Sequence, residues 1–270
     1  MADITVADLE LMSAARNYRR WLFSKVAHRL GSRVLEIGAG IGNYTEFLLG
    51  AEHVVCLELH AGAIISLRRR FGRHPRVRIY QGDIAEPDCR ALAEHACDTA
   101  VCFNVLEHIR DQAAALRNIS DILIPGGCLL LIVPAVPWVF GTVDRALGHY
   151  RRYMPGSLRA ALVAAGFAID SLEWMNFPGI FGWLLNNRLL RKTAESPRQI
   201  RFYDRWVVPW TQAVERLIRP PVGLSLVGVA RAGRPSKPNP GAIEHQDLGR
   251  HFIHWPGADF ENGSENCTAG

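Results

Sequence analysis

The sequence predicts an α/β fold: a doubly wound, mostly parallel sheet with a helical elaboration in its C-terminal half. Three observations carry this. Short apolar runs alternate with amphipathic segments from Arg33 to Pro134. The first run empties into a glycine-rich loop, "EIGAGIGNYT", that leads into a helical segment. Acids close successive runs, Glu58 after the second and Asp83 after the third. Near-continuous apolar strands interleaved with helices are what a parallel sheet buried on both faces requires.

The elements follow in order. Residues 7–30 read as helix, apolar at helical spacing, with "NYRRW" on its last turns. "RVLEI" (33–37) is the first strand, followed by the glycine loop and a helix near 43–50. "HVVCLEL" (53–59) is the second, with a helix near 61–72, and "VRIYQGD" (77–83) the third. "DTAVCFN" (98–104) is the fourth, and a helix with Ile109, Ala113, Leu116, Ile119 and Leu123 on one face follows. "GGCLLLIVPA" (126–135) is the fifth. A long connection over 134–155 leads to the helix "GSLRAALVAAGF", for which Gly166 is the expected C-cap, and to a strand at 168–175. Residues 179–219 read as two helical pieces rich in aromatics and arginine, split by "ESP", and "GLSLVGVARA" (223–232) as the last strand. Residues 234–270 turn to Pro, Asn, Gly, Ser and acids and read as a disordered tail.

With 270 residues, 49% of them hydrophobic, the chain is long enough for one sizeable core. Its six cysteines form no CxxC pair and three lie in strand-like runs, which fits free thiols in a reducing cytoplasm. The acidic, amphipathic N-terminus lacks the features of a secretory signal. The longest apolar stretch is too short to span a bilayer, so a soluble cytoplasmic protein is expected. The net charge is +5, and only three of the 31 basic residues are lysine. Ten basic and five acidic residues lie between Asp144 and Arg205, which carries about the whole excess. That excess suits a solvated surface, an anionic substrate or a membrane surface; no nucleic-acid-binding motif is present, and no nucleic acid partner is expected.

The loop reads Glu36-x-Gly38-x-Gly40-x-Gly42. Glycines let the backbone approach a ligand at the carboxyl end of a strand, where open α/β sheets bind ligands. The GxxxxGK[ST] phosphate loop is excluded because no Lys-Ser/Thr follows. The dinucleotide fingerprint is off by one residue, and Glu36 would repel a pyrophosphate. Glu58, twenty residues after Gly38, can accept both ribose hydroxyls, and Asp83 can reach an adenine amino group.

Taken with these acids, "LEIGAGIGNYT", "QGDI", "FNVLEHI" and "LIPGGCLLLIVP" resemble the class I S-adenosylmethionine (SAM)-dependent methyltransferases. The resemblance covers roughly residues 15–232 and is specific through 135. It implies seven strands, the last antiparallel, with SAM as cofactor. Glu36 and Gly38 would hold the SAM amino group, Gly40 would lie under the cofactor, and Ala39 would also belong to the cofactor site. Glu58 would take the ribose, with Leu59 also in the cofactor site, Asp83 and Ile84 would frame adenine, and Asn104 would sit beside the methionine moiety. Tyr18 would close the pocket. Residues 1–30 become a helical cap, 31–233 the SAM-binding domain, and 136–155 and 176–222 insertions on the acceptor side.

"NVLEH" (104–108) invites three readings: a cation site, since some methyltransferases use ExxEH to bind a divalent ion; a general base at His108; or the first turn of a helix, where Glu107 complements the dipole. Asn104 replaces the first acid of the cation pattern, so no metal is expected and the architectural reading is favoured. "DRALGHYRRYMP" offers better catalytic candidates. His149 and Tyr150 would order or deprotonate an acceptor, while Arg151 and Arg152 would bind an anionic group. "NFPGIFGWLLNNRLLRK" (176–192) carries an apolar stripe suited to core, to a lid over a greasy acceptor, or to peripheral membrane contact. The expected function is methyl transfer to O or N of a small-molecule or lipid-linked acceptor. Open beside it stand a SAM-binding enzyme of the same fold that cyclises SAM with release of methylthioadenosine, and a non-catalytic SAM-binding module.

Overall fold

A computed structural model describes residues 2–192 and 196–233, with side chains from residue 6. The tail expected at 234–270 lies outside the described residues.

Seven strands form one sheet in the order β3-β2-β1-β4-β5-β7-β6. They are β1 (Arg33–Ile37), β2 (His53–Glu58), β3 (Val77–Gln81), β4 (Thr99–Phe103), β5 (Cys128–Pro134), β6 (Phe167–Met175) and β7 (Ser225–Ala232). Pairings among β1 to β5 are parallel, and β7 runs antiparallel to both β5 and β6. The fold class is therefore as the sequence predicts. Strand order reverses between β1 and β4, so the crevice that binds ligands in such sheets opens at their carboxyl ends.

Both faces of the sheet are core. Leu35, Ile37, Val55, Leu57 and Cys102 face one layer, which includes α5 (Gln112–Ile122) and α7 (Pro155–Ala164). Val34, Val54, Cys56, Val101 and Leu130 face the other, packed by α2 (Arg16–Ser24) and α4 (Ala61–Phe71). This two-sided burial is why β1, β2, β4 and β5 read as unbroken apolar runs rather than alternating ones. Gly166 stands at φ +88 just after α7, the left-handed position that ends helices.

Local boundaries differ from the expectation in three places. The N-terminal helix is broken into α1 (Ala2–Ser13) and α2 at Ala15, whose ψ of 63° leaves the helical region, with a short turn at Ala27–Arg29. The helix after the glycine loop shrinks to α3 (Thr45–Leu48). Glu107 and His108 do not open α5. They lie in a separate single turn, Leu106–His108, and α5 starts after Asp111, whose side chain caps Ala114 N–H at 2.9 Å. Between β5 and β6 lie α6 (Thr142–Ala146) and α7. Between β6 and β7 run α8 (Gly179–Leu184), α9 (Pro197–Phe202) and α10 (Val208–Leu217). Wide π-helical turns extend α8 over Leu185–Leu189 and bridge α9 to α10 over Tyr203–Val207. No described helix is long and apolar enough to cross a membrane.

Candidate active site

The glycine loop leaves β1 with Gly38, Gly40 and Gly42 all at positive φ, +67, +56 and +86. At Gly38 a β-carbon would also stand 2.4 Å from Val105 Cγ2, so conformation and space both demand glycine. Gly38 and Ala39 donate their N–H groups to Leu57 O, which ties the loop to the end of β2. There the buried Glu58 accepts Gly40 N–H at 2.7 Å and His60 N–H at 2.8 Å, one on each carboxylate oxygen. Each oxygen keeps a lone pair for a further donor. Leu59 beside it is half exposed. Asp83 accepts Ala85 N–H at 2.8 Å, next to the buried Ile84.

Glu36 lies beneath the loop, buried, with Oε2 accepting the Thr45 hydroxyl at 2.6 Å. Burial raises its carboxyl to about 7 against the opposing hydrogen bonds from Thr45 and Cys56. An acid so poorly solvated gains from a nearby cation. Asn104 ends β4 in the left-handed region at φ +53, exposed, with its N–H on Ile132 O. Val136 after β5 also stands there, at φ +63. For a β-branched residue this is strained backbone, and it lies at the same sheet edge.

Forty residues past Asn104 in the chain, a second group converges on the same edge. Asp144 of α6 is fully buried and accepts five donors. His149 Nδ1 (3.0 Å) and Arg152 Nε (2.7 Å) meet Oδ1. Gly141 N–H (2.9 Å), Trp183 Nε1 (3.1 Å) and Asn187 Nδ2 (3.2 Å) meet Oδ2. Burial alone would raise this carboxyl, but the His149 hydrogen bond and the Arg152 charge outweigh it and hold it at about 2. A carboxylate only accepts, so His149 carries its proton on Nδ1 and presents Nε2 as an acceptor. The His108 ring stands edge-to-face to His149 with centroids 4.6 Å apart. His108 is exposed at its outer side, yet crowding of its ring by the surrounding protein, then the neighbouring His149 and His60, lower its pKa. Since His60 follows the clamped Glu58, the glycine-loop end and the histidine end adjoin.

Ligand atoms of Glu107, His108 and His149 all lie within 4.8 Å of one another. Glu107 is buried, its Oε2 has no hydrogen-bond partner, and burial pushes the carboxyl up to about 8. Such a set of oxygen and imidazole donors suits a divalent cation, an arrangement that the sequence reading set aside.

Tyr150 parts company with His149: it is 56% exposed, with the Arg151 guanidinium 5.8 Å over its ring. Of the two arginines expected to bind an anion, Arg152 is occupied and Arg151 is only partly engaged. Arg152 is buried on Asp144 and Ala135 O, 4.8 Å over the Trp183 ring, and Arg151 donates to Arg110 O. Buried ion pairing leaves Arg152 no donor geometry for an anion in solvent.

Tyr18 enters from α2, whose start is held by Asp204 through the Tyr18 N–H at 2.8 Å. Tyr18 is close enough to Tyr44, Tyr203 and Arg152 to bear on their ionisation. Tyr203 in turn hydrogen-bonds Asn176. Asp144, Tyr44 and Tyr203 escape the sequence reading. Only the five-residue spacing from Asp144 to His149 hints at the first, and nothing local marks the other two.

A family model described as a methyltransferase domain matches residues 35–129. A Mycolicibacterium smegmatis protein named a "probable S-adenosylmethionine-dependent methyltransferase" is 31% identical over 188 residues, 65% of this chain and 71% of that protein. A ubiquinone biosynthesis O-methyltransferase of Xanthomonas euvesicatoria is 27% identical over 160 residues, 54% of this chain and 66% of that protein. Among solved structures, an S-adenosylmethionine-dependent methyltransferase from Mesorhizobium loti superposes with a TM-score of 0.51 at 18% identity. The match covers 78% of this chain and 97% of that one, a likeness of fold.

Proposed function

Because the chain belongs to the S-adenosylmethionine-dependent methyltransferases, we propose that it methylates an O–H or N–H group of a small-molecule or lipid-linked acceptor, with His149 receiving the acceptor proton. The observation that carries this reading is the Asp144–His149 pair, whose hydrogen bond fixes the Nδ1–H tautomer and leaves Nε2 free. The residues fit the cofactor: a glycine cradle with no room for a β-carbon at Gly38, a carboxylate with spare lone pairs at Glu58, and a poorly solvated acid at Glu36. SAM supplies an activated methyl on a sulfonium, whose displacement forms the new O–C or N–C bond as the C–S bond breaks.

In this reading Gly38 to Gly40 hold the methionine end with Asn104 beside it, Glu58 and Leu59 take the ribose, and Asp83 with Ile84 frame the adenine. Tyr18 covers the pocket from α2. The acceptor approaches from the α6 side, and its proton passes to His149 Nε2, while the imidazolium formed is stabilised by Asp144. Holding the nucleophile in line is the larger part of the task, because the donor is already activated. His108, the reserve candidate, is the weaker base of the two because its surroundings disfavour the imidazolium.

A second reading has its own observation. The unpartnered Glu107 Oε2, with His108 and His149, would hold a divalent cation that binds and acidifies the acceptor hydroxyl. One experiment separates the readings. Phenolic, amine and lipid-linked acceptors are screened with SAM, with and without a chelator, following S-adenosylhomocysteine and methylthioadenosine. Acceptor-dependent S-adenosylhomocysteine that survives chelation supports the base reading, and loss restored by a divalent cation supports the second. Methylthioadenosine formed without any acceptor would overturn both.

A further inference from the structure

The helical run of α9, its π-helical turn and α10 is inside out. Its buried stripe is Ile200, Asp204, Val208, Thr211 and Glu215, three of the five polar. Its exposed stripe is Phe202 at 63%, Trp206 at 63%, Trp210 at 64% and Leu217 at 87%, followed by Ile218 at 68%. Soluble helices place these faces the other way round, and a contiguous exposed aromatic row marks a surface meant to be covered.

The two acids of the run are spent internally. Asp204 accepts the backbone N–H groups of Asn17 and Tyr18. Glu215 accepts those of Asn176 and Phe177. The charges left outside among the described residues of the run are therefore all cationic: Arg198, Arg201, Arg205 and Arg216; Arg219, just past its end, pairs with Glu173 at 3.4 Å. Nearby α8 and its π turn repeat the pattern. Phe181, Leu185 and Leu189 are exposed, with Arg188, Arg191 and Lys192 and no acid from 176 to 192. Glu195 lies outside the described residues.

We propose that this face seats the protein on an anionic bilayer surface. The aromatic and aliphatic row would enter the interface while the arginines flanking it meet lipid phosphates. A second copy of the chain suits the face less well. A two-fold interface sets the same patch against itself, and would bring these arginines against one another with no free acid in the described run to pair them, since Glu173 beside its end is already engaged by Arg219. The proposal stands whichever group is methylated.

The test uses the full chain with vesicles of phosphatidylcholine alone and of phosphatidylcholine mixed with phosphatidylglycerol, read by flotation and by tryptophan emission. Binding to the anionic vesicles only is expected, with a blue shift and release by added salt. The surface variant Trp206→Ser/Trp210→Ser should bind roughly tenfold or more weakly while retaining SAM affinity and melting temperature. Failure of the parent to float with anionic vesicles would overturn the proposal. So would equal flotation of the double variant, or its conversion from a dimer to a monomer in gel filtration.

Discussion

The Asp144 carboxylate receives His149 Nδ1 at 3.0 Å and Arg152 Nε at 2.7 Å on one oxygen, so a single buried anion orients the imidazole and neutralises a buried guanidinium. These two roles separate by mutation. His149→Ala removes the proton acceptor and leaves the Arg152 pair. Turnover should fall by about 10²–10⁴-fold with SAM affinity unchanged in calorimetry; unchanged turnover would remove His149 from the reaction.

Asp144→Ala should act chiefly on stability. Arg152, buried with 1% of its side chain exposed, would keep its charge with no ion-pair partner, holding only its hydrogen bond to Ala135 O. The expected loss is about 3–5 kcal/mol, measured by urea unfolding. A loss near zero would mean that water reaches Arg152.

Glu58→Gln keeps the shape of the side chain and discards its charge. Its acceptance of Gly40 N–H weakens, and a ribose would lose a charged hydrogen-bond acceptor worth about 1.5–3 kcal/mol. SAM and S-adenosylhomocysteine should both bind roughly 10–100-fold less tightly. Full affinity in the variant would place the ribose elsewhere.

Gly38→Ala meets two obstacles, φ of +67 and the 2.4 Å approach of Val105 Cγ2. Gly38→Ala/Val105→Ala relieves only the second. SAM binding should be lost in the single variant and partly regained in the double, which retains a conformational cost of about 1–2 kcal/mol. Complete recovery would show that space alone selects glycine here.

Glu36 predicts a pH dependence of stability. Its folded carboxyl titrates at about 7 against a reference of 4.5, because burial penalises the charge. Between these values the folded state holds a proton that the unfolded state has released, so stability falls as pH rises across the window. Glu36→Gln removes the titration. Without cofactor, its melting temperature relative to the parent should climb from pH 4.5 to 7 and level off above; a constant difference would mean an ordinary carboxyl.

The sequence by itself determined the α/β layering, because two-sided burial writes each parallel strand as an apolar run that can be read in isolation. It also marked the candidate cofactor end. Positive φ at Gly38, Gly40 and Gly42, and acids at the ends of β2 and β3, are local features within a few residues of each strand. Breaks such as the one at Ala15 between α1 and α2 carry no comparable mark, since neither glycine nor proline stands there. Only the tertiary structure assembled the candidate acceptor end. "NVLEH" reads as a helix start, and "DRALGHYRRYMP" as a separate loop offering His149 and Tyr150 to an acceptor and Arg151 and Arg152 to an anion. Packing β4 beside β5 instead brings Glu107, His108 and His149 within ligand distance, and buries Asp144 among five donors drawn from residues 141 to 187. The arginines and aromatics of 179–219 are as conspicuous in the sequence, yet which face they occupy depends on what lies behind the helix. There the backbone of α2 and of the chain after β6 needed acceptors, Asp204 and Glu215 supplied them, and the apolar side was left facing out. Hydrogen-bond demand across distant segments is a property of the assembled chain, which no window of sequence contains.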